Sequence, residues 1–290
     1  MDLEISAVIS QLLDGISRGM IYFLLAAGLT LIFGVLNVVN FAHGAFYMLG
    51  VYVCFLVVKG LNLGAAFIII PIGLALAGGL TEFGLFRRIY RAEHAMQLLL
   101  SLGIIYIVSD IVRLIWGVTP VTVEMPATFK GFFNLSGVLV AKYNLFIIGI
   151  TSLIALFMFL ILYRTKMGSI IRACTIDPEM TSCAGVNVSR VFLLVFMVGV
   201  GLAGMASVTA APIITAILGM DAQMIIVAFG VVIVGGVGSI GGALIAALII
   251  GIVESLGILI LPQFAEAFLY IIVVISLLIR PSGLFGKLVG

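Results

Sequence analysis

Residues 19–59 read GMIYFLLAAGLTLIFGVLNVVNFAHGAFYMLGVYVCFLVVK, two apolar runs (19–36 and 42–59) parted by a segment that carries Asn37 and Asn40 and leads into His43 and Gly44. A helix needs about 20 apolar residues to cross the hydrocarbon of a bilayer. Each run therefore predicts a membrane span, and the polar interruption predicts a break between them. The same ruler places further spans at 64–86, 95–116, 143–163, 191–211, 223–236, 242–261 and 265–280. Eight or nine crossings result, depending on how the start of the chain, the glycine-rich stretch 235–242 and the short last run are read. The expected fold is all-α, a polytopic transmembrane helical bundle with broken or re-entrant segments, forming one transmembrane domain over 1–290.

Composition points the same way. Of 290 residues, 64% are hydrophobic and 9% charged, with a mean hydropathy of +1.40, whereas soluble chains carry about 25% charged residues. Most of the sequence must face lipid or other apolar helices. A net charge of +2, with the basic residues scattered between apolar runs, does not make a nucleic-acid surface. The chain opens Met-Asp-Leu-Glu, acidic where a secretory signal would be basic, so the first apolar segment is expected to stay in the mature protein. Cys54, Cys174 and Cys183 have neither CxxC spacing nor neighbouring histidines, which reads as three small apolar fillers rather than a metal or disulfide framework.

Basic residues cluster at Arg87, Arg88 and Arg91, at Arg164, Lys166, Arg172 and Arg190, and at Arg280 with Lys287, whereas the intervening loops hold Lys59, Lys130 and Lys142. The positive-inside rule assigns the first set, and with it the C-terminus, to the cytoplasm. Nine spans then start the chain outside and eight inside, and Arg18 does not choose between them. The outer loop 117–142 contains Pro120, Pro126 and a β-branched run from Val118 to Val123, which predicts a small extracytoplasmic cap. The inner loop 164–190, RTKMGSIIRACTIDPEMTSCAGVNVSR, has the punctuation of two short helices. The first covers about 169–176; Asp177 then caps the second, with Pro178 at its first position, Glu179 behind it and Gly185 closing it. Such a knob would display Arg172, Asp177 and Glu179 to a partner and suits force transmission; the alternative is a solvated connector.

Polar side chains and broken backbone persist at membrane depth only where they face protein or water. Asn37, Asn40, His43 and Gly44 therefore mark a hinge or the wall of a route, with a hydrogen-bonded packing role as the alternative for His43. The stretch FGVVIVGGVGSIGG (229–242) repeats the Phe33-Gly34-Val35 start at an offset of 196, and Gly235, Gly236, Gly238 and Gly241 follow with a one-residue gap. Paired interruptions in two halves point to a transport pathway built from internal repeats, against the alternative of a chance likeness between glycine-rich segments. Residues 236–241 also satisfy GxGxxG, but no βαβ unit or following acid accompanies them. Close helix packing or a re-entrant turn fits better, as does the small-xxx-small spacing at Gly15/Gly19 and Gly238/Gly242. Glu254, near mid-span, either lines the route or is a hydrogen-bonded carboxyl at a helix interface. No Walker A, HExxH or GxSxG sequence and no cysteine–histidine pairing is present, so no catalysis, cofactor or metal is expected, and any ATPase must be another chain.

The segments 28–52, 168–191 (GSIIRACTIDPEMTSCAGVNVSRV) and 229–255 (FGVVIVGGVGSIGGALIAALIIGIVES) together resemble the LivH-type permease of branched-chain amino acid ABC importers, over nearly the whole chain. That resemblance implies a homologous second permease subunit, two cytoplasmic ABC ATPase subunits that bind the ATP, a periplasmic substrate-binding protein, and leucine, isoleucine or valine as cargo in a bacterial inner membrane. It implies that loop 164–190 is the coupling element, with Asp177 to Gly185 entering a groove on an ATPase and Arg172 anchoring it, while 37–44 and 235–242 line or gate the route. Relatives also carry urea, short amides or other amino acids, because the binding protein largely sets the substrate. A competing class, an ion-coupled secondary transporter, predicts ionisable residues clustered at the midplane, for which Glu254 is the isolated candidate.

Overall fold

The computed structural model describes residues 2–90, 92–135, 138–265 and 267–286. Arg91 and Lys287 of the basic clusters lie outside the described residues. The helices, in chain order, are α1 (Asp2–Leu36), α2 (Ala42–Gly60), α3 (Leu63–Gly84), α4 (His94–Trp116), α5 (Lys142–Arg164), α6 (Lys166–Ile176), α7 (Pro178–Cys183), α8 (Val188–Ala210), α9 (Met220–Gly235), α10 (Ile240–Ile260) and α11 (Ala267–Ile279). Seven of them are long and apolar enough to cross a membrane; α9 and α11 are shorter, at 16 and 13 residues. Short strands β1 (Val121–Thr122), β2 (Phe132–Leu135), β3 (Val138–Ala141) and β4 (Thr215–Ala216) dress one face, as a β2–β3 hairpin and a β1–β4 pair.

The span expected at 19–36 is the inner part of a much longer helix. Gln11, Asp14, Ser17 and Arg18 interrupt the apolar run in sequence, yet α1 continues through them, and neighbouring helices satisfy the first three. Gln11 Nε2 donates to the Ser255 carbonyl (2.7 Å), Ser255 Oγ donates back to the Gln11 carbonyl (2.8 Å), and Asn144 Nδ2 donates to Asp14. Polar groups paired in this way lose little on leaving water. The apolar stretch of α1 is 89% buried, against 22% for α4 and for α5, so α1 is the central post and α4 and α5 are peripheral.

The largest contact of α1 is with α10, and glycines set its closeness. The two helices run antiparallel: Gly15 lies on Gly251–Ile252, Gly19 on Ala247–Leu248 and Gly34 on Gly238. A methyl group added at Gly19 would stand 2.7 Å from the Ala247 carbonyl oxygen, and one at Gly251 would stand 2.4 Å from the Gly19 nitrogen. Lipid tails are as apolar as leucine, so helices in a bilayer associate largely through such tight contact. The close-packing reading of Gly15/Gly19 thus holds.

Arg87, Tyr90, Tyr163, Asp177 and Pro281 surround one cavity and so share a face of the bundle, which is the face of the basic clusters. Lys142 lies over Phe133 of the hairpin on the opposite face. Ser10 Oγ donates to the Leu139 carbonyl on that opposite face (2.8 Å), whereas residues 284–285 bond to the end of α9 on the basic face. The described ends therefore lie on opposite faces, which requires an odd number of passes and favours nine over eight. Only residues 121–122 of the β-branched run form a strand, since Pro120 has no N–H to contribute to a ladder. Cys54 and Cys174 are buried as expected, but Cys183 is exposed; it is the last residue of α7, on the outer side of a peripheral turn, and is not a filler.

Candidate translocation site

The first break follows from Asn37. Its N–H still bonds the Phe33 carbonyl (3.0 Å), but its φ of +52° is left-handed, a conformation that asparagine tolerates better than most residues, and α1 stops there. The chain then runs back along α1, so that His43, in the first turn of α2, lies beside Leu25, about three turns above the end of α1. His43 Nε2 is 3.0 Å from the Leu25 carbonyl oxygen, which makes that ring nitrogen the donor. Asn40 and His43 are fully buried. The Asn40 amide and His43 Nδ1 have no protein hydrogen-bond partner among the described residues. Gly44 is pressed against the Asp221 carbonyl of α9, where a methyl would stand 2.3 Å from the oxygen.

The second break lies between α9 and α10. Gly236 (φ +94°) and Gly238 (φ +78°) take backbone conformations that side chains rarely adopt, and Ser239 Oγ caps α10 by accepting from the Gly242 N–H (3.0 Å). Gly235 meets Gly242 backbone to backbone. The C-terminal segment closes the corner: Leu284 N–H donates to the Val234 carbonyl (2.8 Å) and Phe285 N–H to the Gly235 carbonyl (3.1 Å). Phe41 of the first break stacks on Phe229 of α9 at 4.7 Å, and Gly34 abuts Gly238. The two glycine-marked breaks therefore meet on the basic face. Their register differs from the sequence offset, because Gly230, the counterpart of Gly34, packs on Leu269 and Val273 of α11. Gly241 is exposed in open space and takes no part in the packing.

The loop 164–190 folds as two helices, with α6 starting at Lys166 rather than 169 because Thr165 caps it (Oγ1 accepts from the Gly168 N–H, 3.2 Å). Asp177 Oδ1 accepts from the Met180 N–H (2.9 Å), Pro178 opens α7, and Glu179 occupies its first turn. At the other end Gly185 is left-handed (φ +85°), with Val186 N–H donating to the Thr181 carbonyl (3.4 Å) and Gly185 N–H to the Ser182 carbonyl (3.0 Å). That bond pair is the glycine-closed helix terminus expected from the sequence. Gly185→Ala should cost about 1–2 kcal/mol of local stability, read as faster proteolytic cleavage of the 183–188 turn in everted vesicles.

Arg172 is exposed, and it also ties the knob to the bundle. Its guanidinium donates to the Leu162 carbonyl and to Ser169 Oγ (3.3 Å) and lies over the Tyr163 ring at 5.5 Å. It anchors α6 to the last turn of α5, whose carbonyls have no helical partners. The Cys174 thiol beneath is pushed up in pKa by burial, partly offset by its hydrogen bond with Thr181.

Two further residues of this face are not apparent from sequence. Glu82, 0% exposed, receives Arg87 Nε (3.2 Å) and Nη2 (2.9 Å) and the Tyr90 hydroxyl. Burial, then Glu82, holds the Tyr90 pKa well above the usual phenol range. Arg87 Nη2 also reaches the Ser189 carbonyl at the start of α8 (3.5 Å). The i, i+5, i+8 spacing of Glu82, Arg87 and Tyr90 follows no helical period, so no pattern signals the cluster.

A cavity of about 1750 Å³ opens on this face, and its walls include Asn37 and Gly238 from the breaks, Arg87 and Tyr90, and Asp177 and Glu179 from the knob. A smaller pocket of about 270 Å³ beside it touches Thr30 and Gly34 of α1, Tyr163 of α5 and Arg172 of α6. Glu254 is not among these residues. It is buried higher on α10, where the Tyr22 hydroxyl donates to its Oε2 at 2.8 Å.

A bundle of membrane-length helices with two interrupted pairs meeting above a one-sided cavity defines a multi-span membrane permease. The sequence pattern of the branched-chain amino acid transport system / permease component family matches residues 11–277, and the chain belongs to that family. It is 28% identical to the high-affinity branched-chain amino acid transport system permease protein BraD of Pseudomonas aeruginosa, over 98% of this chain and 97% of the relative. Identity to the corresponding LivH protein of Salmonella typhimurium is 29%, over 96% of each chain. It is 32% with the probable branched-chain amino acid transport permease protein LivH of Methanocaldococcus jannaschii, over 91% of this chain and 88% of the relative. A chain in the structure of PsaBC from Streptococcus pneumoniae in complex with Fab shares the fold, with a TM-score of 0.50 and 15% identity, over 97% of this chain and 92% of that one.

Proposed function

We propose that the protein is the permease subunit of an ATP-binding-cassette importer for leucine, isoleucine and valine in a bacterial plasma membrane. It forms the passage together with a homologous second permease. The observation that carries this reading is the cavity on the basic face, because one space is walled both by the two breaks and by the α6–α7 knob. The basic face is cytoplasmic. Two ATPase subunits, which bind the ATP, dock on the knob there, and a soluble binding protein delivers cargo to the opposite face. Asp177 and Glu179 stand exposed at the start of α7, while Arg172 ties α6 to α5, so a push on the knob moves the cavity wall beside Asn37 and Gly238.

Asp177→Asn combined with Glu179→Lys tests the docking. Asparagine keeps the helix cap while the local charge changes, so the knob should stay folded. Capture of the ATPase subunits by the solubilised permease is expected to fall at least tenfold at equal permease abundance. Capture equal to the unmodified protein would remove the knob as the coupling element.

A further inference from the structure

The helix α4 leans on α2 and buries the row Gln97, Ser101, Ile104, Val108 and Val112. On the side away from that row, Tyr106, Asp110 and Arg113 are exposed at spacings of four and three residues, which stacks them on one face. Contacts with neighbours fix the depth of that face. Trp116, the last residue of α4, packs against Tyr52, about two turns short of the outer end of α2. At the other end, Ser101 Oγ donates to the Val39 carbonyl at the first break (3.3 Å). Asp110 therefore lies six residues, about 9 Å, below the end of α4, and that end is itself below the outer rim of α2. The stem of Arg113 can extend toward the outer interface, but the aspartate side chain is too short to reach it.

Neither residue makes an ion pair or a side-chain hydrogen bond among the described residues. Other broad exposed faces differ. Those of α3, α10 and α11 hold no acidic or basic residue, and that of α5 holds one at its last position, Arg164. A charge facing hydrocarbon is strongly disfavoured and marks a face that meets protein or water. The exposed sides of α3, α5 and α11 thus suit lipid, and that of α4 does not.

We propose that the face of α4 carrying Tyr106, Asp110 and Arg113 is the seam with the second permease. This rests on the importer reading above, which supplies that partner. Opposite charges stand about one turn apart on a single face, so the face is self-complementary. A chain of the same fold, related by a two-fold axis along the bilayer normal, lays its own α4 alongside in the same direction and brings the aspartate of each to the arginine of the other. A carboxylate and a forked guanidinium that meet in this way satisfy each other away from lipid. Tyr106, one turn deeper, contributes a large side chain with a polar tip, a type enriched where one chain meets another.

The test uses the complete transporter, both permeases with the ATPases and binding protein, in native membranes. The photoreactive residue p-benzoylphenylalanine is placed at Tyr106 and, in a separate preparation, at Phe157 of α5, which is similarly exposed (69% and 60%). Irradiation at Tyr106 is expected to join this chain to the second permease in at least tenfold higher yield than at Phe157. Capture from Phe157 and not from Tyr106, or capture at Tyr106 of lipid alone, of the binding protein or of a second copy of this chain, overturns the proposal. Asp110→Leu with Arg113→Leu should leave the abundance of this chain in the membrane unchanged and lower the co-purified second permease at least tenfold. Full assembly with lost uptake would make the face the wall of a watery passage, and full assembly with full uptake would make it an ordinary lipid face; both overturn the seam. A transporter that purifies with a single permease and no second one overturns the importer reading itself, before any probe is compared.

Discussion

Replacing Arg87 by alanine should destabilise the protein by about 3 kcal/mol, the lower end of the cost of stripping the partner from a buried carboxylate. Glu82 is fully enclosed, and Arg87 provides both of its guanidinium contacts at 3.2 and 2.9 Å, leaving Tyr90 as the other donor. The lower end is appropriate because the Arg87 side chain is 29% exposed and water can approach the pair from that side. The expected readout is a lower thermal midpoint of the detergent-solubilised protein. Adding Glu82→Gln should recover most of the loss, since a neutral amide is far cheaper to bury than a lone anion. A midpoint unchanged by Arg87→Ala would mean that the carboxylate does not depend on the arginine.

The second large effect is expected at Gly251. Valine there would drive its Cβ to 2.4 Å from the Gly19 nitrogen and 2.5 Å from the Gly15 carbonyl oxygen. Both obstacles are helix backbone, which cannot step aside as a flexible side chain can, so α10 must part from α1. Because α1 is the post on which α5, α8, α9 and α10 all rest, the opening is not local. The cost should exceed the roughly 1–3 kcal/mol usual for overpacking. Membrane abundance of folded protein is expected below a tenth of the unmodified level. Gly103→Val, on an exposed part of α4 with open space around it, should accumulate normally. Equal abundance of the two variants would contradict the picture of α1–α10 as the closest seam of the bundle.

Much of this architecture is written in local signals. Apolar runs of span length locate α2 to α5, α8 and α10 to within a few residues. Asp177-Pro178 and Gly185 locate both ends of α7, because a side-chain acceptor, a missing N–H and a left-handed turn are each properties of one residue. The breaks are legible for the same reason: Asn37 and the glycines at 235–238 announce them. Long-range pairings are less legible. The first half of α1 looks too polar to span until Asn144 and Ser255 are seen to answer Asp14 and Gln11, and those partners are more than a hundred residues away. Arg172 is exposed as its charge suggests, but nothing in sequence shows that it also bonds the α5 terminus. Glu82 is near Arg87 in sequence, but its enclosure by Arg87, Tyr90 and α8 is a property of three segments at once. Gly34 shares a motif with Gly230, yet its neighbour is Gly238, since packing follows where helices cross rather than which letters match.

The two breaks are not equally stiff. Residues 236–239 are pinned by the chain's own end, which occupies the Val234 and Gly235 carbonyls, and by the backbone of Gly242. Residues 37–41 are held by fewer backbone bonds: Ser101 Oγ of α4 donates to the Val39 carbonyl (3.3 Å) and Phe41 stacks on Phe229, but Asn37 is exposed in a conformation asparagine merely tolerates, and the Asn40 amide has no protein partner among the described residues. On the coupling reading proposed above, a stroke delivered to this region is expected to bend the chain at the Asn37 elbow, with the glycine corner as its fulcrum.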